Sequence, residues 1–274
     1  MTNPFFTIFT PAYNCENTIQ RVFDSVSKQT FRDFEWIIIN DGSKDNSSEI
    51  IRNLIKTEGP SDIIITFQEF ENRGKHSVWN RGVKLGRGKF FIPADADDGF
   101  LPEALEFFHE KISAFGPAEL EKISGINVPC FDNDSDQIVG DLYPVDGYVT
   151  NNFKLEYKLN LRGEKWGCIK MDLLKKYPFP EICHSNYPEN YIWFTLSKKY
   201  DVICYNKALR RYYTTSNGIS DIQRVRGKNE RKVYMKYFPW LLWNFGGGLL
   251  LYAPKKFFKH IARLVADTFY VWFK

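Results

Sequence analysis

The chain has 274 residues, 43% hydrophobic and 17% aromatic, with 37 Lys/Arg against 33 Asp/Glu. That length suffices for one large domain, or one domain and a tail, and the near-balanced total charge says little about partners. Five widely spaced cysteines without a CxxC pair argue against a zinc site and for reduced thiols in a cytosolic protein.

The N-terminal MTNPFFTIFTPAYN lacks a basic n-region and a long apolar stretch, so no signal peptide is predicted. FFTIFT at 5–10 predicts a strand, and 15–29 an amphipathic helix with Ile19, Val22, Phe23 and Val26 on one face. FEWIIIN at 34–40 is a continuous apolar strand, and the polar DGSKDNSS leads into the next helix. A strand at 62–67, a helix over 75–86 and a strand at 89–94 follow. Buried apolar strands alternating with helices imply an α/β fold with a mostly parallel sheet flanked by helices.

Ligands of such sheets bind beyond the carboxyl ends of the strands. Here those ends deliver TPAYN, NDGS, the segment around FENRGK, and DADD. Neither GxGxxG nor GxxxxGK[ST] is present, so a diphosphate bound there needs another source of positive charge. A divalent cation held by carboxylates supplies it. Past residue 101 the sequence predicts a helix at 102–115, a strand at 121–132, an acidic mobile loop at 132–147 and a strand near 167–171.

Asp95, Asp97 and Asp98 have the spacing that lets two carboxylates face one hard cation, Mg²⁺ or Mn²⁺. The competing account is a solvated Asp-Gly turn. Asp41 follows a buried strand, where a carboxylate is placed to accept from a nucleobase N–H. Pro11 and Asn14 shape the first loop, and Glu16 lies at a helix start, where an acid is favoured anyway.

FTPAYNCENTI, FEWIIINDGSKDNS, NRGKHSVWNRG and GKFFIPADADD occur in the order found in glycosyltransferase family 2, which the chain resembles densely over 5–100 and loosely over 160–220. The resemblance implies a GT-A, Rossmann-like fold and a nucleotide-diphosphate sugar donor. It implies that Pro11, Tyr13, Asn14 and Glu16 line the nucleoside pocket and that Asp41 bonds the base, commonly uracil. Arg73 or Lys75 is implied near base or phosphates, Asp95 near the ribose, Asp97 closest to the Mn²⁺ or Mg²⁺ with Asp95 as second ligand, and Asp98 in support. Two departures stand out. The acidic pair before Gly42 is Asn40-Asp41, and Val78-Trp79 replaces the usual Ala-Arg. The family's base lies in a Glu-Asp pair opening a helix; HSNYPENYIW keeps Glu189 but has Asn190 next to it, so the base role falls on Glu189. Trp166 and Trp193 are candidate walls for the acceptor, His184 a candidate neighbour of the phosphates, and Arg211, with Arg210 and residues 214–220, a candidate basic closure over them.

From Lys207 to Lys274, 14 Lys/Arg stand against three acids, a balance of +11, which leaves −7 for the remainder. The basic, aromatic-rich segment 223–274 suits an in-plane helix on anionic lipid, or a surface that packs on the body or on a second copy in a homodimer. No run reaches the roughly 18–20 apolar residues of a spanning helix. Nucleic acid is not expected as a partner. The sequence therefore predicts a catalytic domain over 1–222 and a helical segment over 223–274. The expected activity is an inverting, metal-dependent transfer of sugar, from UDP-sugar, to a saccharide or lipid-linked acceptor at the inner face of the cell membrane, in surface polysaccharide synthesis. The alternatives are a sugar-nucleotide nucleotidyltransferase and a non-catalytic nucleotide-sugar-binding protein.

Overall fold

The computed structural model describes residues 3–181, 187–213 and 227–273. In chain order the first elements are β1 (Phe6–Ala12), α1 (Ile19–Ser27), β2 (Phe34–Asn40), α2 (Ser47–Glu58), β3 (Ile64–Glu69), α3 (Lys75–Leu85), β4 (Phe90–Pro93) and β5 (Gly99–Phe100). There follow α4 (Ala104–Ser113), α5 (Pro117–Leu120), β6 (Ile123–Asp132), β7 (Tyr148–Thr150), α6 (Asn152–Tyr157), β8 (Lys165–Lys170) and α7 (Met171–Lys176). The chain then runs through α8 (Asn190–Ser197), β9 (Asp201–Cys204), β10 (Arg210–Tyr212), α9 (Lys228–Tyr252) and α10 (Pro254–Phe273).

The sheet order is β3-β2-β1-β4-β8-β6-β10-β5, with β9 on the first part of β6 and β7 on β9. The first four strands are mutually parallel, while β8 runs antiparallel to both β4 and β6. Side chains alternate across each strand, and this splits the core into two layers. Phe6, Ile8, Trp36, Ile38 and Ile92 pack on one side against Ile19, Val22, Phe23 and Val26 of α1. Phe9, Ile37, Ile39 and Phe91 pack on the other against Val78, Trp79 and Val83 of α3. A sheet covered on both faces buries nearly every position, which is why FEWIIIN is mostly apolar, and its buried Glu35 is answered by Thr7 Oγ1 at 2.8 Å and by Arg87 at 2.9 Å.

Residues 132–147, expected as a mobile loop, are fastened instead. Asp132 Oδ1 accepts from the backbone N of Asp134 and Ser135 (3.2 and 2.9 Å), and Asp141 Oδ2 accepts from Arg162 N at 2.7 Å. Several of the acids thus serve as backbone acceptors, a use that composition does not distinguish from solvated charge.

The C-terminal helices form a hairpin laid on the second core layer. Val233, Tyr237, Phe238, Leu241 and Leu249 of α9 are buried in the cluster that holds Phe91, Ile192 and Phe194. A Cβ on Gly248 would stand 2.8 Å from the Phe153 ring, so the glycine allows α9 to close on α6. Within the hairpin, Arg231 Nη1 donates to buried Asp267 at 2.6 Å. No helix among the described residues is long and apolar enough to cross a membrane.

His260 lies against the Phe238 ring (centroids 5.2 Å apart), and neither ring nitrogen has a hydrogen-bond partner among the described residues. Burial first, then Arg263, Lys256 and Lys259, push its pKa down to about 4. The unfolded chain, with an ordinary value of about 6.5, binds more protons between those two pH values. The stability that His260 contributes is therefore complete above about pH 6.5 and lost as pH falls toward 4. Thermal melts of the wild type should fall more steeply across that window than those of His260→Phe; parallel curves would contradict the assignment.

Candidate active site

The loops after β1 and β2 are cross-linked into one rim. Asn14, at φ +49°, accepts through Oδ1 from Lys44 N and donates its own N to Ser43 Oγ, both at 2.9 Å. Glu16 Oε2 accepts from N and Nδ2 of Asn46 at 3.0 Å, while Glu16 N donates to Asp45 Oδ2 at 3.1 Å. Asn40 accounts for the first departure from the family pattern. Its Oδ1 accepts from Ser43 N and Oγ, and its Nδ2 donates to Ser48 Oγ, so both ends of the amide are used within the second loop.

Asp41 is 4% exposed, and its two oxygens accept from Arg73 N and Gly74 N, each at 2.9 Å. Gly42 sits at φ +71°, with space beside it only for a hydrogen, since a Cβ would meet Asn72 N at 2.7 Å. Asp41 therefore holds the third loop against the first two. Pro11 lies in the last turn of β1, one residue before its end at Ala12, Tyr13 is 47% exposed, and the Arg73 side chain lies on the exposed rim. Val78 and Trp79, the second departure, are core residues.

At the end of β4 the three aspartates separate into different environments. Asp98 is buried and takes hydrogen bonds from Arg210 Nε (2.7 Å) and Nη2. Asp95 bridges two cations: Oδ2 lies 2.9 Å from Arg210 Nη2, and Oδ1 lies 3.0 Å from Lys75 Nζ. Burial alone would raise the Asp95 pKa, but Lys75 and Arg210 overcome it and hold the group at about 2. The same contacts keep both cations above their ordinary values despite burial. Lys75 Nζ also lies 2.8 Å from Glu189 Oε1, so a single ammonium joins the first half of the chain to the start of α8.

Asp97 differs. It is exposed, and among the described residues its carboxylate has no ion pair or hydrogen bond. No group of three metal-ligating side chains occurs among the described residues. Asp97 is the residue that would offer a free carboxylate oxygen to a divalent cation such as Mg²⁺ or Mn²⁺. Both Asp95 oxygens are already engaged by cations.

Behind this centre lies a cleft of about 400 Å³, lined among others by Lys75, Trp79, Asp95, Trp166, Glu189, Trp193 and Arg210. Trp166 is stacked on Phe100 (centroids 4.7 Å) and donates Nε1 to Pro93 O at 2.7 Å. Trp193 meets Trp79 edge-on at 6.0 Å. Arg211 is directed elsewhere, over the Phe131 ring at 4.7 Å and toward Asp136 at 3.4 Å, and Arg210 takes the cleft position. His184 and residues 214–220 lie outside the described residues. Asn127, Asn152 and Glu156 also line the cleft, and no sequence signal marked them, because they come from β6 and α6 outside any motif.

Residues 7–123 match the family model described as glycosyl transferase family 2. This stretch is a family 2 glycosyltransferase domain. Over 239 residues the chain is 24% identical to the GalNAc(5)-diNAcBac-PP-undecaprenol beta-1,3-glucosyltransferase of Campylobacter jejuni, covering 85% of this chain and 72% of that protein. Two solved structures share its fold. S. aureus TarS 1–349 in complex with UDP-GlcNAc has a TM-score of 0.65 at 19% identity, covering 88% of this chain and 67% of that one. The Pyrobaculum calidifontis mannosyltransferase PcManGT, in complex with GDP-Man and Mn²⁺, has a TM-score of 0.61 at 16% identity, covering 100% and 88%. At these identities the likeness is one of fold, and that fold is GT-A. The chain spans 10% of the length of the curated relatives it matches at 39% identity.

Asp98→Asn removes the buried charge that answers Arg210 and should lower stability by about 3 kcal/mol, the scale of a broken buried pair. A urea titration measures it, and an unchanged midpoint would contradict the pairing.

Proposed function

We propose that the chain is an inverting glycosyltransferase that moves a sugar from a UDP-sugar to a hydroxyl of a saccharide or lipid-linked acceptor during surface polysaccharide synthesis. The observation that carries the reading is the Lys75 bridge, which brings Asp95 at the nucleotide edge and Glu189 at the cleft within reach of one ammonium. The donors held by the two structural neighbours, UDP-GlcNAc and GDP-Man, and the lipid-linked name of the C. jejuni relative support it.

In this reading the rim of Pro11, Tyr13, Asn14, Glu16, Asp41 and Arg73 holds the nucleoside. Asn14 and Glu16 act by shaping the loops that their side chains cross-link, and Tyr13 offers its ring. Asp95 orients the ribose, with Asp98 and Arg210 fixing it from beneath. Asp97 is the residue that holds Mn²⁺ or Mg²⁺, whose charge supports the departing diphosphate. Glu189 takes the proton of the acceptor hydroxyl as its oxygen bonds the anomeric carbon and the bond to the diphosphate breaks in line. Trp166 and Trp193 wall the acceptor side.

A thermal-shift series with UDP- and GDP-sugars, with and without Mn²⁺, tests the reading, because a ligand of the native state raises its stability. A UDP-sugar should stabilise the wild type and Glu189→Gln alike, while the variant loses about 10²-fold or more of transfer. Stabilisation without turnover by the wild type on any donor and acceptor would favour the non-catalytic binder. Near-normal turnover by Glu189→Gln would remove it from the base role.

The C-terminal hairpin supports peripheral binding at the inner membrane face. Phe258, Ile261, Val265, Phe269 and Trp272 of α10 are exposed at helical spacing, and Lys255, Lys259 and Arg263 are exposed beside them. Residues of α9 belong to the core, so the test substitutes side chains and leaves the hairpin in place. Val265→Asp with Phe269→Asp should abolish sedimentation with anionic phosphatidylserine vesicles while leaving Tm unchanged; undiminished sedimentation would refute it.

A further inference from the structure

Asn127 sits in the middle of β6, where a polar amide is a poor strand residue. Ile126 and Val128 turn into the first core layer, so Asn127 turns to the other face of the sheet, toward the cleft that it helps to line. Its neighbour across the ladder on β8 is Gly167, which has no side chain to cover it. Asn127 Nδ2 donates at 2.8 Å to Oδ1 of Asn152, at the start of α6, and Asn152 lines the same cleft. Asn152 is not the cap of that helix: Asn151 Oδ1 takes the cap bond, from Lys154 N at 3.0 Å. Both amides are half-buried, and their mutual bond uses one carbonyl and one amino group. The pair keeps one carbonyl and one amino group for a ligand, whichever way that bond runs.

We propose that the Asn127–Asn152 pair is a saccharide-binding subsite for the acceptor, accepting from one hydroxyl and donating to another on a pyranose laid against Trp193. This rests on the glycosyltransferase reading above. A sugar hydroxyl both donates and accepts, so a pair that presents both functions matches two neighbouring hydroxyls. Small-molecule sites combine apolar and aromatic walls with a few placed polar groups. Here Leu155, Leu161 and the half-buried Trp193 supply the apolar walls. The nucleoside rim is built from the loops after β1, β2 and β3, whereas the pair comes from β6 and α6, which assigns it to the acceptor. Glu189 lines the same cleft, so a sugar held there presents its hydroxyls to the base. The bond between the amides also ties α6 to the sheet, but an apolar pair would do that without placing polar groups in mid-strand.

The test uses the full chain, the nucleotide sugar that stabilises it, and p-nitrophenyl glucoside, galactoside and N-acetylglucosaminide as acceptors, with their monodeoxy analogues. Asn127→Ala and Asn152→Ala should each raise the acceptor KM about tenfold, the scale of a neutral hydrogen bond lost in a cleft. Donor KM and kcat should stay unchanged, as expected of lost uniform binding. One monodeoxy acceptor should show the same loss in the wild type and no further loss in a variant, the non-additivity of groups in contact. A pair that only ties α6 to the sheet would single out no hydroxyl. Asn152→Ala leaves β6 intact and keeps the test decisive if Asn127→Ala fails to fold. An unchanged acceptor KM in a variant that still binds donor overturns the inference, as does a raised donor KM or an additive loss with every deoxy acceptor. Hydrolysis of the nucleotide sugar with none of the glycosides used overturns it too, whereas failure of the wild type to bind any nucleotide sugar overturns the function itself.

Discussion

The constraint on which the active edge depends is electrostatic: three aspartates within four positions, joined in space by Glu189. Like charges so close raise one another's pKa unless opposite charge stands between them. Two cations stand there, Lys75 from the start of α3 and Arg210 from β10. Four acids against two cations leave two negative charges, and the one carboxylate without a partner among the described residues, that of Asp97, faces outward. β10 pairs with β6, which brings Arg210 under the end of β4.

Much of this was legible in the sequence, for a physical reason. Strands buried on both faces are apolar at most positions, so β1, β2 and β4 announced themselves, and their ends placed TPAYN, NDGS and DADD on one edge. The roles of individual polar residues were less legible. Glu16 reads as an acid at a helix start, yet its carboxylate ties Asn46 across to the neighbouring loop. Asp41 reads as a ligand for a base, and it also braces Arg73 and Gly74. Arg210 and Arg211 are adjacent and chemically identical, and only the direction of β10 decides which enters the cleft.

The C-terminal segment shows how one sequence pattern serves two faces. Its aromatics and leucines suggested a surface-seeking helix or a packing helix. In the structure α9 fills the core layer with α3 and α8, while several aromatics of α10 lie exposed. Hydrophobic content alone does not separate these outcomes, since both need apolar side chains at helical spacing. The difference lies in which neighbours are present, and that is set by residues far away in the chain.

The contact between Gly248 and Phe153 has an evolutionary consequence. Any side chain at 248 pushes on the ring at 153, and a smaller residue at 153 leaves a void beneath α9. The two positions are therefore free to drift only together, each acceptable change at one being conditional on the other. The contact thus ties the start of α6 to the last turns of α9, positions some ninety residues apart in sequence.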